Sequence, residues 1–255
     1  MIRKTFACLL LAGLVSAAAG AQTVDELIAK NEAARGGLDK LKAVKALRMT
    51  GKMEIGQGME APFTMEMARP KKVRMEFTLQ GMTGIQAFDG QGGWMVMPFM
   101  GKKDPEPIAG DDLKNMEDQA DFDGPLVDYK EKGHQVELIG KQDLEGTPAY
   151  KLKVTKKNGD ISYIYLDAEQ YLELKVEGKT KMRGQEVEGE TTLGNYKEVN
   201  GLIFPFSIQS KQKGAPAGAG MSMTIDKIEV NPDVPSSRFE MPKVDKPAAP
   251  PPPKQ

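Results

Sequence analysis

The sequence has very few of the residues from which enzyme active sites and metal centres are usually built. Its 255 residues include one histidine, His134, and one cysteine, Cys8. A histidine-assisted triad would have to form around His134, and no Gly-x-Ser-x-Gly motif is present. A zinc site needs several histidine or cysteine ligands, and His134 beside Gly133 is typical of an exposed turn residue. We therefore expect no enzymatic activity, no metal and no cofactor.

An excess of charge of one sign is also missing. Lysine and arginine number 35 and aspartate and glutamate 36, a formal net charge of -1. This balance predicts no basic surface for nucleic acid. After residue 21 the sequence has no cysteine, and no apolar run reaches the roughly 20 residues that span a bilayer. Disulfides are thus excluded from this part of the chain, and its stability must come from an apolar core.

Both ends of the chain differ from the middle. Arg3 and Lys4, an apolar stretch from Phe6 to Val15 and the small residues Ala19-Gly20-Ala21 form the pattern of a cleaved secretory signal peptide. The apolar stretch is too short for a membrane anchor, the alternative interpretation. We predict a signal peptide over residues 1–21, periplasmic localisation, one folded domain over residues 22–242, and a disordered proline-rich tail over residues 243–255.

The most informative pattern is an alternation of apolar and polar residues from Leu47 to Phe99. Period two predicts antiparallel strands with one apolar face, and we expect three more strands between the turn after Ile55 and Phe99. The residues expected to line this face are Met49, Met53, Phe63, Met65, Met67, Met75, Phe77 and Trp94. Unbranched, polarizable methionine adapts to irregular shapes. The face lines either a closed core or a cavity for an apolar ligand, and the pattern leaves both open.

Helices are predicted before and between the strands. Thr23 and Glu26 form a capping-box pattern that begins a first helix, which ends at Gly36-Gly37 and is followed by a short second helical piece. A charged, proline-containing connection follows Phe99, then an amphipathic helix over residues 111–120 and a short helical turn over residues 126–129.

The second half of the chain returns to strands. Asn158-Gly159 predicts a type I′ hairpin, and Asn200-Gly201 closes a second one. Some ten strands with two helical insertions predict a mainly β fold with α insertions. We expect a strongly curved antiparallel sheet, or an incomplete β-barrel, with a helical lid on its concave side.

Arg69 has a position that suggests a special role. It precedes Pro70, which cannot donate to a strand ladder and so indicates a strand end. From there an arginine can donate to carbonyl oxygens at the C-terminal end of a covering helix. The alternative is an ordinary surface arginine at a turn.

Several short motifs resemble one family. The order Arg69-Pro70, Asp89-Gly90, Trp94 and Met97-Pro98-Phe99, within an arrangement that extends from Thr23 to Pro242, is similar to the LolA family of periplasmic lipoprotein carriers. The resemblance implies an incomplete β-barrel with a helical lid that encloses an apolar cavity for the acyl chains of a lipoprotein. It also implies that Arg69 helps to latch the lid.

Three functions therefore remain as hypotheses. The first is a monomeric periplasmic carrier of acylated lipoproteins or lipids for outer-membrane lipoprotein sorting, with a possible membrane protein as donor or acceptor of the cargo. The second is a periplasmic sensor that binds lipidated or misfolded envelope proteins and signals to a membrane partner. The third, a hydrolase, is opposed by the missing nucleophile and base.

Overall fold

The computed structural model describes residues 22–56, 58–182, 184–216 and 219–243. The predicted signal peptide and nearly all of the predicted proline-rich tail lie outside these described residues. Three α-helices are α1 (Val24–Ala34), α2 (Leu38–Ala43) and α3 (Gly110–Gln119), with single 3-10 turns at Pro98–Met100 and Ser236–Arg238. In the described ranges, no helix combines the length and apolar character needed to cross a bilayer.

Fifteen β-strands make up most of the described chain. They are β1 (Ala46–Ile55), β2 (Met59–Ala68), β3 (Lys72–Leu79), β4 (Met82–Phe88), β5 (Gly93–Met97), β6 (Lys102–Ile108), β7 (Gln135–Leu144), β8 (Thr147–Thr155), β9 (Ile161–Asp167), β10 (Glu173–Met182), β11 (Gln185–Gly194), β12 (Lys197–Val199), β13 (Leu202–Phe204), β14 (Ser207–Gln212) and β15 (Met221–Val230). All pairs are antiparallel, and β12 and β13 form a separate hairpin.

The other thirteen strands form one large curved sheet in the order β6-β5-β4-β3-β2-β1-β15-β14-β11-β10-β9-β8-β7. Because β6 and β7 are the two ends of this order, the sheet does not close into a barrel. The predicted fold class, a mainly β protein built on a strongly curved antiparallel sheet, is confirmed. The last strand, β15, joins the two halves of the sheet by pairing with both β1 and β14.

Two predicted strand assignments were wrong. Four strands, not three, lie between residues 59 and 97, because Gly84 and Gln86 interrupt the apolar alternation of β4 in the sequence. The charged connection after Phe99 contains strand β6, although Pro105 and Pro107 each lack an N–H donor. Proline is tolerated there because β6 is an edge strand, where one side of the ladder needs no partner.

The turns are in the predicted places but differ in geometry. Gly159 has a φ of 89°, whereas Asn158 is not among the residues with positive φ, so this turn is not type I′. In the second hairpin, Asn200 (φ 54°) and Gly201 (φ 75°) both have the positive φ that type I′ requires. Residues 126–129 form turns rather than the predicted helical turn. The capping box of α1 is confirmed, since Thr23 and Glu26 each accept from the other's backbone N–H.

Two apolar clusters lie on the face of the sheet that the helices cover, here called the helix-covered face. The methionine core joins β1–β5 and β15 to α2 and α3, and includes buried Met53 and Phe63. The aliphatic core joins β8 and β9 to α1, and includes Leu27, Leu152 and Ile164. The opposite side is called the outer face.

Candidate functional site

A band of methionine side chains crosses the helix-covered face in a single row. Met49 of β1 pairs with Met65 of β2, and Met65 pairs with Met75 of β3. Gln86 of β4 follows in the row, and Met95 of β5 comes next. Directly opposed residues have Cβ atoms about 4.5–5.5 Å apart and share one face of the sheet. Met49, Met65 and Met75 therefore form a continuous apolar surface, which Gln86 separates from Met95. The four methionines are here called the methionine band.

The methionine band is partly exposed, whereas the rows on either side of it are more deeply buried. The row nearer α2 and α3 contains Leu47, Met67, Val73, Phe88 and Ile108, all buried. The helices therefore cover one row closely and leave the next accessible. An accessible apolar surface inside a curved sheet is a feature that a closed core does not require.

Close packing of α3 against the sheet depends on Gly93. A Cβ atom at Gly93 would lie 3.0 Å from Leu113 Cδ1 and 3.3 Å from Met116 Sδ, both on the apolar side of α3. On the opposite side of the band from α3, the Phe77 and Phe99 rings lie with centroids 5.6 Å apart. The band is thus bordered by helix α3 on one side and by aromatic rings on the other.

The structure places seven of the eight predicted lining residues in the methionine core or packed against it, namely Met49, Met53, Phe63, Met65, Met67, Met75 and Phe77. Trp94 is the exception and corrects the prediction. It pairs with Ala87, and its neighbours Gly93 and Met95 occupy the helix-covered face, so alternation places Trp94 on the outer face. There its Nε1 donates to the backbone oxygen of Phe239 (2.8 Å), and the Arg74 guanidinium lies 5.4 Å from its ring.

Arg69 links the two elements that cover the methionine core. Its Nε donates to the backbone oxygen of Val44 (2.7 Å) and its Nη2 to that of Leu41 (3.2 Å), both at the C-terminal end of α2. Nη1 and Nη2 also contact the two carboxylate oxygens of Asp123, at 2.5 and 2.7 Å, in the segment after α3. The guanidinium lies 4.7 Å from the centroid of the Phe122 ring.

The electrostatics of this cluster favour its closed arrangement. The hydrogen bonds that Arg69 donates to the Asp123 carboxylate, together with the attraction of nearby carboxylates, raise the pKa of Arg69 despite partial burial. Carbonyl oxygens at a helix C-terminus carry partial negative charge, which a cation stabilises. A bidentate arginine–carboxylate pair also fixes the relative geometry of the two partners. The predicted contact between Arg69 and helix carbonyls is therefore present, and the pair with Asp123 adds to it.

Helix α3 is held at its borders by ion pairs with exposed or half-exposed side chains. They are Lys71–Glu117 (3.3 Å), Lys114–Asp160 (2.8 Å) and Lys156–Asp118 (2.8 Å). Pairs of this kind contribute little to stability because solvent screens them and long side chains lose entropy. The apolar contacts of α3 with the sheet therefore account for most of its attachment.

Two cavities flank α3. One, of about 810 Å³, lies between α3, the segment that follows it and the β8–β9 turn, and includes His134. The other, of about 660 Å³, lies between α3 and strands β9–β11. Their described linings are rich in charged side chains and contain no residue of the methionine band. Burial and the neighbouring Lys132 and Lys156 lower the pKa of His134, which is half-buried rather than exposed as expected.

Three residues of the site were missed from the sequence. Asp123 lies in a turn-rich stretch with several other acidic residues, and nothing in the spacing distinguishes it from them. Met95 lies in a run of four apolar residues, Trp94 to Met97, so the sequence pattern does not show which of them face the band. Gln86 is polar within an apolar face, and only the strand register places it in the row.

Comparison with known structures identifies the class of fold. The chain is similar to a domain assigned to outer membrane lipoprotein sorting from Vibrio parahaemolyticus, with a TM-score of 0.55, 11% identity and coverage of 85% of this chain and 97% of that one. It is also similar to a LolA superfamily protein from Nitrosomonas europaea (0.56, 13%, 86% and 98%) and to a DUF1329 family protein from Desulfovibrio piger (0.58, 14%, 85% and 97%). The resemblance in fold to LolA is thereby confirmed.

In sequence, the chain stands apart from characterised families. No family model matches it, and no curated protein matches it. At 11–14% identity, the similar structures establish the fold alone. Any function must therefore be argued from the residues of this chain.

Proposed function

We propose that this protein is a non-enzymatic periplasmic carrier that binds the acyl chains of lipoproteins or lipids on the methionine band, and takes part in outer-membrane lipoprotein sorting. The observation that carries the proposal is the partial exposure of Met49, Met65, Met75 and Met95 on the helix-covered face. A fold whose only need was stability would bury such a surface.

The energetics of acyl binding suit this surface. Burial contributes about 0.8 kcal/mol per methylene group, so a ligand with several chains is held without a charged anchor. Methionine side chains adjust to chains of different length and bend because they have three rotatable bonds and a polarizable sulfur. The methionine band would therefore accept acylated molecules in general. It would not by itself select one particular lipoprotein.

Arg69 acts in this proposal as the latch of a lid formed by α2, α3 and the segment around Asp123. Its contacts join α2 to that segment, so loosening either partner frees the other. Opening of the lid would break the contacts of Arg69 and the apolar contacts of α3, whereas the exposed ion pairs around α3 would add little to its cost.

The proposal is tested by binding a fluorescent fatty-acid probe to the mature protein. An acylated peptide should displace the probe, and the same peptide without its acyl chain should not. Equal displacement by both peptides would leave the methionines as a closed core and contradict the carrier function.

Native mass spectrometry of the protein from its own cell envelope tests the cargo and the compartment together. A copurifying acylated species supports the carrier, whereas a stoichiometric membrane protein supports the sensor. Intact mass should correspond to a chain that begins at Gln22. A retained Met1, or a diacylglycerol on Cys8, would contradict the signal-peptide prediction.

A further inference from the structure

One amide side chain interrupts the methionine band. Gln86 of β4 lies directly opposite Met75 on one side and directly opposite Met95 on the other. Both methionines pack against the methionine core, and opposed residues share a face. The Gln86 side chain therefore extends from the same face as the band.

Gln86 is also without an internal partner. Within the described residues, its side chain makes no hydrogen bond, although its amide offers two donors and an acceptor oxygen. The side chain is partly exposed on this face, so its amide is accessible to a ligand. Once a ligand covers the band and excludes water, an unpaired amide would weaken binding unless the ligand supplies a hydrogen-bond partner.

Two outer-face sites in the same half of the sheet show polar side chains that have partners. Buried Glu66 on the outer face accepts from Arg48 Nε at 2.9 Å and from Arg238 Nε at 2.8 Å. Thr78 and Thr83 share a hydrogen bond across β3 and β4. Unlike these residues, Gln86 lies between two methionines, and its side chain has no hydrogen-bond partner among the described residues. A methionine at this position would continue the band and leave no unpaired amide.

The charges near the row favour a neutral ligand group over a carboxylate. Glu106 of β6 lies opposite Met95, next in the row after Gln86 and Met95. Lys102 is already paired with it, Nζ to Oε2 at 2.8 Å. An anionic ligand group beside Gln86 would therefore lie in the same row as the Glu106 carboxylate. The described residues of this row include no unpaired cation that could bind it.

We propose that Gln86 is a specificity-determining residue whose Nε2 donates a hydrogen bond to the carbonyl oxygen of the ester or amide that links an acyl chain to its head group or peptide. The inference rests on the proposed carrier function and refines its substrate class. The acyl chain lies along the methionine band, and the amide of Gln86 fixes the position of its carbonyl end. The protein then prefers acyl esters and amides to ether-linked or plain hydrocarbon chains.

The test compares two lipids of equal chain length, dioctanoylglycerol and its dioctyl ether analogue, which lacks both carbonyl groups. The wild type should bind the ester about two- to twelvefold more tightly, the range of one net hydrogen bond. Gln86→Met should lose this preference and bind both lipids as the wild type binds the ether. Its unfolding midpoint should be unchanged or higher, because an unpaired amide has been removed.

Two further variants control the experiment. Gln86→Glu keeps the shape but replaces the amide donor with a carboxylate, so it should also lose the ester preference. Gln91→Leu, in the exposed turn between β4 and β5, should keep it. Equal binding of ester and ether by the wild type, or an unchanged preference in Gln86→Met, would overturn the inference and leave the carrier function standing. Binding of neither lipid would overturn both.

Discussion

The two apolar cores of this protein lie on one sheet but differ in which strands carry their partly exposed residues. In the aliphatic core these include Val136 and Leu138 of the edge strand β7. In the aliphatic core, Leu152, Val154, Ile164 and Leu166 have no exposed surface. In the methionine core, the methionine band remains partly exposed. The partly exposed residues of the methionine band thus lie on β1, β2, β3 and β5 in the first half of the sheet, which is where the carrier function proposed above would place the ligand.

Side-chain shape and helix attachment both contribute to this difference. Branched Leu, Ile and Val have few rotamers and interlock into a dense core beneath α1. Helix α1 has a capping box and a fully buried Leu27. The methionine core has flexible side chains and is covered by α3, whose border contacts are exposed ion pairs. The proposed carrier function requires the methionine-lined half to open while the aliphatic core stays closed.

Truncation of one side chain in each core should give the largest difference. Leu152→Ala removes a fully buried side chain and should lower the free energy of unfolding by about 3 kcal/mol. Met65→Ala should lower it by about 1 kcal/mol, because part of that side chain already faces solvent. Urea denaturation measures both values. Equal losses would mean that the methionine band is packed as tightly as the aliphatic core.

The latch should affect ligand release more than folding. Arg69→Leu removes the contacts with α2 and Asp123 and should shift the open–closed balance by about 1–3 kcal/mol. Acyl-probe dissociation should then be roughly five- to 150-fold faster, with a smaller change in thermal unfolding. Lys71→Leu, which removes only an exposed ion pair two residues away, is the matched control. Identical dissociation rates and stability in Arg69→Leu and the wild type would make Arg69 an ordinary turn residue.

A charge on the methionine band should weaken binding of apolar probes. Met65→Lys should reduce affinity for the fluorescent fatty-acid probe about tenfold or more, because the ammonium group must lose water when the ligand is bound. Thr64→Lys places the same charge on the neighbouring residue, which faces the outer side, and should leave the affinity unchanged. Fluorescence titration distinguishes the two variants. Equal losses of affinity in the two variants would show that probe binding does not depend on which face of the sheet carries the charge.

The smallest expected change in the free energy of unfolding comes from substitution of Glu173, which lies beside the aliphatic core. Burial raises the pKa of the Glu173 carboxyl, and the nearby Arg35 opposes this only in part. The ionised form is thus disfavoured in the folded state, and stability should rise as pH falls through the raised pKa towards 4.5. Glu173→Gln should add about 0.5 kcal/mol near pH 7 and less near pH 4. Urea denaturation at both pH values tests this, and a gain that grows with acidity would contradict it.

The sequence predicts some features of the methionine-lined half of the sheet better than others. Alternation from Leu47 to Phe77 is regular, so it identifies the lining and the antiparallel sheet, and Pro70 marks the strand end that places Arg69. Alternation cannot assign Trp94, because the four consecutive residues from Trp94 to Met97 are all apolar and give β5 no alternating phase. Gln86 and Asp123 depend on pairing between distant residues, which period and composition do not contain. The partial exposure of the band likewise depends on where α3 lies.

Strand β15 has a consequence for the order in which the protein can be completed. It pairs with β1 and connects the two halves of the sheet, yet in chain order it is the last of the described strands. Until Met221–Val230 has been synthesised, β1 has an unpaired edge, the kind of edge along which unfinished chains associate. Pairings between such distant segments also form slowly, because a long loop must close first. The methionine-lined half, whose strands are made first, is consequently among the last parts of the molecule to reach its final form.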